Sequence, residues 1–281
     1  MKMHKISIGR CAVFAFLVLM TVMALFPLVY AFFGSFKSSV EFLSGGPNIL
    51  PSRWDTESYA IAWNEANFAQ YTLNSIVISV MTVVCTLVVG SMASYTLSRT
   101  VFAGRRLILS LLGLVMFIPG VVLIFPVFQM CQSLGLLGSR WSMIITQTAS
   151  GLPFLVILMT SYMNGITREI DEAAQIEGCG FFRLYLDVIL PLSKPILATA
   201  GLFAFKSAWN SYLMPLALSL SKPSIRPLTV GVIALKDMGE GITAWNVMIA
   251  GSVMALLPMI VMFLFMNRFF IAGVTEGAVK G

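Results

Sequence analysis

Six stretches of the chain are long and apolar enough to read as membrane-crossing helices: roughly 11–33, 74–95, 107–131, 141–163, 196–218 and 245–270. Each reaches or exceeds the ~20 residues a helix needs to cross a bilayer's hydrocarbon layer. Their apolar residues run on without alternation in steps of two, so they predict helices and not the strands of a membrane barrel. Lys2, Lys5 and Arg10 precede the first stretch in the manner of a secretory leader. That stretch outruns the about 7–15-residue apolar core of such a leader, and no small-residue cleavage pattern follows it. A retained first span is expected. Three connections are long: 34–73, with Gly45, Gly46, Pro47 and Pro51 as turn formers; 164–195; and 219–244.

Composition strengthens this picture. Of 281 residues, 58% are apolar and 11% charged, against about 25% charged in a soluble domain. The net charge of +6 is spread through short connections, which argues for a membrane-topology signal and against nucleic-acid binding. With the N-terminus inside, Arg99, Arg105, Arg106, Arg168, Arg183 and Lys194 also fall inside, and the Lys/Arg excess lies on that face. The expected fold is an all-α integral membrane protein with six transmembrane helices and both termini cytoplasmic. It forms a single domain, residues 1–281, in the cytoplasmic (inner) membrane.

The chemistry that is missing narrows the function. The twelve acidic residues fall in connections or the C-terminal tail, whereas ion-coupled carriers commonly place a carboxylate within a span. The chain has no GxxxxGK[ST] phosphate loop, so an ATP-powered process would need a partner. His4 is the one histidine, which excludes an imidazole-built metal site. Cys11, Cys85, Cys131 and Cys179 form no CxxC pair and read as packing residues. No clustered nucleophile, base or metal set suggests a membrane enzyme.

The 164–195 connection carries the strongest pattern. Thr167 is placed to cap a short helix whose first turns hold Glu169 and Asp171, and Gly178 is placed to stop it. A second helix follows, with Phe181, Leu184, Tyr185 and Val188 on one face and Pro191 and Pro195 expected to end it. An acidic, amphipathic helix pair suits docking into a groove on a soluble partner; the alternative is a helix lying on lipid, which favours a Lys/Arg-rich polar face. Phe181, Phe182 and Tyr185 can fill such a groove or face the membrane.

Glu172, Ala173 and Ala174, then Gly178, Leu190 and Pro191, match the EAA loop pattern of ABC importer permeases, with Val188 at its isoleucine position. Tyr95–Arg99 with Phe102, Gly104 and Arg105, then Ala208-Trp209-Asn210, Met214-Pro215-Leu216 and 227–232, and the tail from Arg268 to Gly281, resemble stretches of carbohydrate permeases. The chain thus resembles the six-span subunit of the maltose-type importer family. That resemblance implies a cytoplasmic coupling helix between spans four and five, in the 164–195 loop. It also implies a second permease subunit as heterodimer partner, an ATPase dimer holding ATP and Mg, and an extracytoplasmic sugar-binding protein. The chain itself would bind no cofactor and import a sugar by alternating access. Importers of glycerol phosphate or another small solute are the alternative.

The same resemblance implies that Glu172, Ala173, Ala174, Gly178, Leu190 and Pro191 form the ATPase-coupling site. It also implies that Gly277, Ala278, Val279, Lys280 and Gly281 reach the ATPase, unless the terminus simply frays. In the fifth span, Lys206, Trp209 and Asn210 recur at i, i+3 and i+4 near Tyr212. They can line the substrate path, or serve packing, with Lys206 paired to the partner or extended toward the interface. The 219–244 loop can meet the binding protein or be a solvated connection.

Overall fold

A computed structural model describes residues 8–44, 48–64, 67–235 and 244–278, the side chains of 8, 43 and 265–278 excepted. Lys2, His4, Lys5, Gly45, Gly46, Pro47, Lys236, Asp237 and Glu240 therefore lie outside the described residues, as does the Arg268 side chain. Every regular element among the described residues is helical. In chain order they are α1 (Ile8–Gly34), α2 (Ser39–Leu43), α3 (Glu57–Asn64), α4 (Phe68–Arg99), α5 (Arg105–Val115), α6 (Ile124–Ser133), α7 (Arg140–Asn164) and α8 (Arg168–Ile176). Then follow α9 (Phe181–Arg183), a π-helical turn (Leu184–Ile189), α10 (Leu190–Leu192), α11 (Lys194–Asn210), α12 (Leu213–Leu218), a 3₁₀ turn (Pro223–Ile225), α13 (Leu228–Ala234) and α14 (Trp245–Ala278).

Among the described residues, four helices are long and apolar enough to cross a membrane: 9–34, 68–99, 140–164 and 245–264. The run Phe181–Leu192 and α11, bent by 78° at Ser193, can supply a fifth crossing. The expected continuous helix over 107–131 is instead two helices joined by the turns of 116–123. Pro119 has no N–H to give an α-helical bond and Gly120 follows it. The backbone there closes tighter bonds, such as Val122 N–H to Pro119 O at 3.1 Å and Leu123 N–H to Gly120 O at 3.1 Å. The expected helix over 196–218 also breaks, at Ser211 and Tyr212. Pro215 then sits in the first turn of α12, where a missing N–H costs nothing.

The chain divides into two compact units, 1–68 with 232–256 and 69–231 with 257–281. In the first, α1 leaves its apolar surface bare, as a lipid-facing helix must. Polar groups tie α2 and α3 to the start of α14. Ser39 donates to the Asn246 side-chain oxygen at 2.9 Å, and the Asn246 amide donates to Ser58 at 2.8 Å. Phe33, Phe36, Trp54 and Tyr59 form an aromatic cluster in the same unit.

The second unit is built on α4, α7 and α11. Along α4, Ser75, Ser79, Thr82, Thr86, Gly90, Ser94 and Ser98 follow each other every three or four residues, and all are buried. Small residues in that rhythm let helices approach closely where no hydrophobic drive pulls them together. A Cβ on Gly90 would stand 2.7 Å from the Met159 Cε, and Ser94 donates to the Val156 carbonyl at 3.1 Å. At the Phe68 end of α4, Asn74 is fully buried. Its amide donates to the Ser224 and Arg226 carbonyls, each at 2.8 Å, and its oxygen accepts from Arg140 Nε at 2.8 Å. That one side chain pins the 219–227 segment to two helices.

Candidate functional site

The 164–195 connection packs against the Arg99 end of α4, and its geometry follows from local rules. Thr167 has the extended backbone of a helix cap, but its hydroxyl makes no capping bond. Glu169 and Asp171 supply negative charge to the first turn of α8 instead. Gly178 takes φ +82°, the left-handed conformation that ends α8 at little cost. Pro191 does not stop the following helix. The run continues to Leu192 and turns at Ser193, because the π-helical turn before Pro191 re-routes the bonds its ring disrupts, Leu190 N–H reaching Tyr185 O.

The inner face of this connection is locked down. Asp171, buried, pairs with Arg99 at 2.9 Å, and both side chains are less than a tenth exposed. Arg168 donates to the carbonyls of Ser98 at 2.9 Å and Arg99 at 3.0 Å, satisfying the C-terminal acceptors of α4. Arg99 also donates to the Ile166 carbonyl at 3.2 Å. The Tyr95 hydroxyl donates to Phe181 O at 3.0 Å, and the Tyr185 and Ser91 hydroxyls meet at 2.7 Å. Tyr95, Met163, Leu184, Tyr185 and Ile189 form the apolar core beneath, with Ala174, Val188 and Leu190 packed on it.

The outer face is open. Glu172, Ala173, Gln175, Gly178 and Pro191 are exposed, and Ile176 is 85% exposed. Of the aromatic side chains, Tyr185 is buried toward α4, whereas Phe181 is partly exposed and Phe182 largely so. The structure therefore splits the motif. Glu172, Ala173, Gly178 and Pro191 are left exposed, while Ala174 and Leu190 belong to the packed side. Asp171, Arg168 and Arg99 escaped sequence reasoning as a set, although Arg99 closes the Tyr95–Arg99 stretch already singled out there. In the tail, Gly277 and Ala278 are seen as backbone in the last turn of α14, and Val279, Lys280 and Gly281 lie outside the described residues.

A second feature lies between α4, α7 and α11: an open cavity of about 590 Å³. α4 contributes Thr82 and Thr86; α7 contributes Gln147, Ser150 and Phe154; α11 contributes Phe203, Lys206, Ser207 and Asn210. These sets repeat at helical spacing and so form three facing stripes. Thr82 Oγ1, Thr86 Oγ1 and both amide atoms of Gln147 are buried without a hydrogen-bond partner among the described residues. Unpaired polar atoms in a membrane interior are costly unless water or a ligand meets them. Phe154 and Phe203 stand edge to face, 5.5 Å between ring centres. Of the four residues singled out in the fifth span, Lys206 and Asn210 reach the cavity. Trp209 is buried away from it and stacks on Phe205 at 5.5 Å, and Tyr212 lies in the break after α11.

Residues 86–272 match the family model described as "Binding-protein-dependent transport system inner membrane component". The chain is 32% identical to the diacetylchitobiose uptake system permease protein NgcG of Streptomyces coelicolor, over 95% of this chain and 87% of that one. It is also 32% identical to the inner membrane ABC transporter permease protein YcjP of Escherichia coli, over the full length of both. Among solved structures it superimposes with a TM-score of 0.82 on a chain from a bacterial ABC transporter involved in the import of the acidic polysaccharide alginate. That match has 26% identity and covers 95% of this chain and 100% of that one. A polar cavity among apolar helices, a connection anchored on one face and free on the other, and these full-length matches agree: the chain belongs to the binding-protein-dependent transport system inner membrane components, the permease subunits of ABC importers.

Proposed function

We propose that this chain is the permease subunit of an ATP-driven importer of oligosaccharides or related carbohydrates, and that the free face of 164–195 is its ATPase-coupling surface. The observation that carries the reading is the two-sidedness of that connection. A loop held only for membrane stability would not need Glu172, Ala173 and Ile176 outward while a buried ion pair secures its back. Glu172 offers a carboxylate to a basic group on the ATPase. Ala173 allows close approach, and Gly178 sets the turn. Because Arg99, Arg168 and Tyr95 tie the loop rigidly to α4, a displacement of the loop is passed to the helices that line the cavity. That is the requirement for rigid-body alternating access.

In this reading residues 1–281 form one permease domain with six crossings and both termini cytoplasmic, α5 and α6 together making the third crossing as a broken helix. A second permease subunit completes the channel and an external binding protein delivers the solute. ATP and Mg reside on the partner ATPase, and the chain itself is non-catalytic. The relative that imports diacetylchitobiose and the hydroxyl- and amide-lined cavity support a carbohydrate over other solutes. Glycerol phosphate or another small polar solute is the second reading, favoured by the lysine in the cavity wall. The test is reconstitution of the full importer in proteoliposomes with a panel of labelled oligosaccharides. Uptake that needs ATP and is uncoupled from hydrolysis by Glu172→Lys supports the proposal. Wild-type uptake in that variant refutes the coupling role, and uptake by this chain without an ATPase refutes the function.

A further inference from the structure

Among the described residues, Lys206 is the one charged side chain in the wall of the cavity, and no carboxylate shares that wall. It lies on the same face of α11 as Phe203, Ser207 and Asn210, at i, i+3, i+4 and i+7. It is exposed to the cavity and has no hydrogen-bond or ion-pair partner among the described residues. It lies about 18 Å along the axis from Lys194 at the helix start and about 6 Å before the helix ends at Asn210. A cation within a span is unfavourable unless water or an anion accompanies it, and intramembrane charges characteristically mark the path of a substrate.

We propose that the solute moved through this cavity carries a negative charge, a carboxylate, sulfonate or phosphate ester on a hydroxyl-rich body, and that Lys206 is its counter-charge. The inference rests on the carbohydrate-importer reading and adds the charge class to it. Ser150, Ser207 and Asn210, exposed to the cavity, provide donors and acceptors for the hydroxyl groups. Phe154 and Phe203 provide a surface for ring C–H faces. With one cation and no acid among the described residues of this chain's wall, that wall has a net positive character that a neutral sugar does not exploit and an anionic one does. Binding is transient in a transporter, so a single ion pair, screened by water in an open cavity, provides selection without trapping the solute.

The test uses intact cells expressing the complete importer. They are given a mixture of oligogalacturonides, their neutral methyl esters, and a phosphorylated and a sulfonated disaccharide, and accumulated solutes are identified by mass spectrometry. The proposal expects ATPase-dependent accumulation of one or more anionic members over neutral ones. That accumulation falls tenfold or more in Lys206→Met and is largely kept in Lys206→Arg. Which anionic member accumulates distinguishes carboxylate, sulfonate and phosphate. Accumulation of the neutral esters, unchanged in Lys206→Met, overturns the charge assignment and leaves the importer reading standing. A complex that fails to assemble in Lys206→Met but assembles in Lys206→Arg also overturns it, by assigning the lysine to the partner permease. ATPase-independent accumulation, or none at all, counts against both.

Discussion

Breaking the Arg99–Asp171 pair isolates the anchoring of the coupling loop from its docking surface. The two groups meet at 2.9 Å with side chains 4% and 7% exposed. Removing one partner leaves the other buried and uncompensated, which costs about 3–5 kcal/mol. Asp171→Asn keeps an acceptor near Arg99 and belongs at the low end of that range. Arg99→Gln also loses the bond to the Ile166 carbonyl and belongs at the high end. Exchanging both removes the stranded charge, so the double variant is expected to be less destabilised than the sum of the two singles. A double-mutant cycle on the purified chain, unfolded by denaturing detergent in mixed micelles, reads this directly. A coupling energy above about 1 kcal/mol is expected, together with fewer solutes moved per ATP in the assembled importer. Additivity within about 0.5 kcal/mol, or full coupling of transport to ATP in both single variants, would refute the anchoring argument.

Three further outcomes follow from single contacts. Tyr185→Phe removes the bond to Ser91 while Ser91 keeps its bond to the Leu87 carbonyl, so it lowers stability by about 0.5–1.5 kcal/mol, read as a small drop in Tm with the fold retained. Gly231→Ala places a Cβ against the Tyr71 ring and costs about 1–3 kcal/mol through overpacking; an unchanged Tm would contradict the packing of α13 on α4. Glu41 lies outside the spans, and its carboxylate is held below the ordinary value of 4.5 by the Ser52 backbone N–H, then the Ser52 hydroxyl, with a smaller pull from Lys37. A lowered folded-state pKa stabilises the charged form, so the protection of the Ser52 amide from hydrogen exchange is full above the ordinary value. It is lost as pH falls through the lowered one, and Glu41→Gln abolishes that pH dependence.

Much of this architecture was legible from hydrophobic run length, because lipid forbids unsatisfied backbone and leaves long apolar helices as the solution. The α8 stop at Gly178 was legible for a similar reason: a left-handed residue is nearly always glycine. The breaks at 116–123 and at Ser211 were not, since an apolar count treats Pro119 and Pro215 as interruptions too small to split a span. The seven small and hydroxyl residues from Ser75 to Ser98 read as noise in a hydropathy trace, yet they set how closely α4 meets its neighbours. Arg99 and Asp171 lie far apart in sequence, and nothing local to either names the other. Lys206 and Asn210 were visible as polar residues in a span, but Trp209 beside them is buried and does not line the cavity. Only the packing of Trp209 on Phe205 separates the cavity face from the core face.

The most direct test of the coupling surface is site-directed cross-linking from Ala173→Cys in the assembled importer. A short-spacer adduct between residue 173 and a phosphate-loop ATPase is expected, with a yield that changes when ATP is bound. Adducts confined to lipid or to the chain itself, with ATP-dependent transport intact, would contradict a coupling role for this surface.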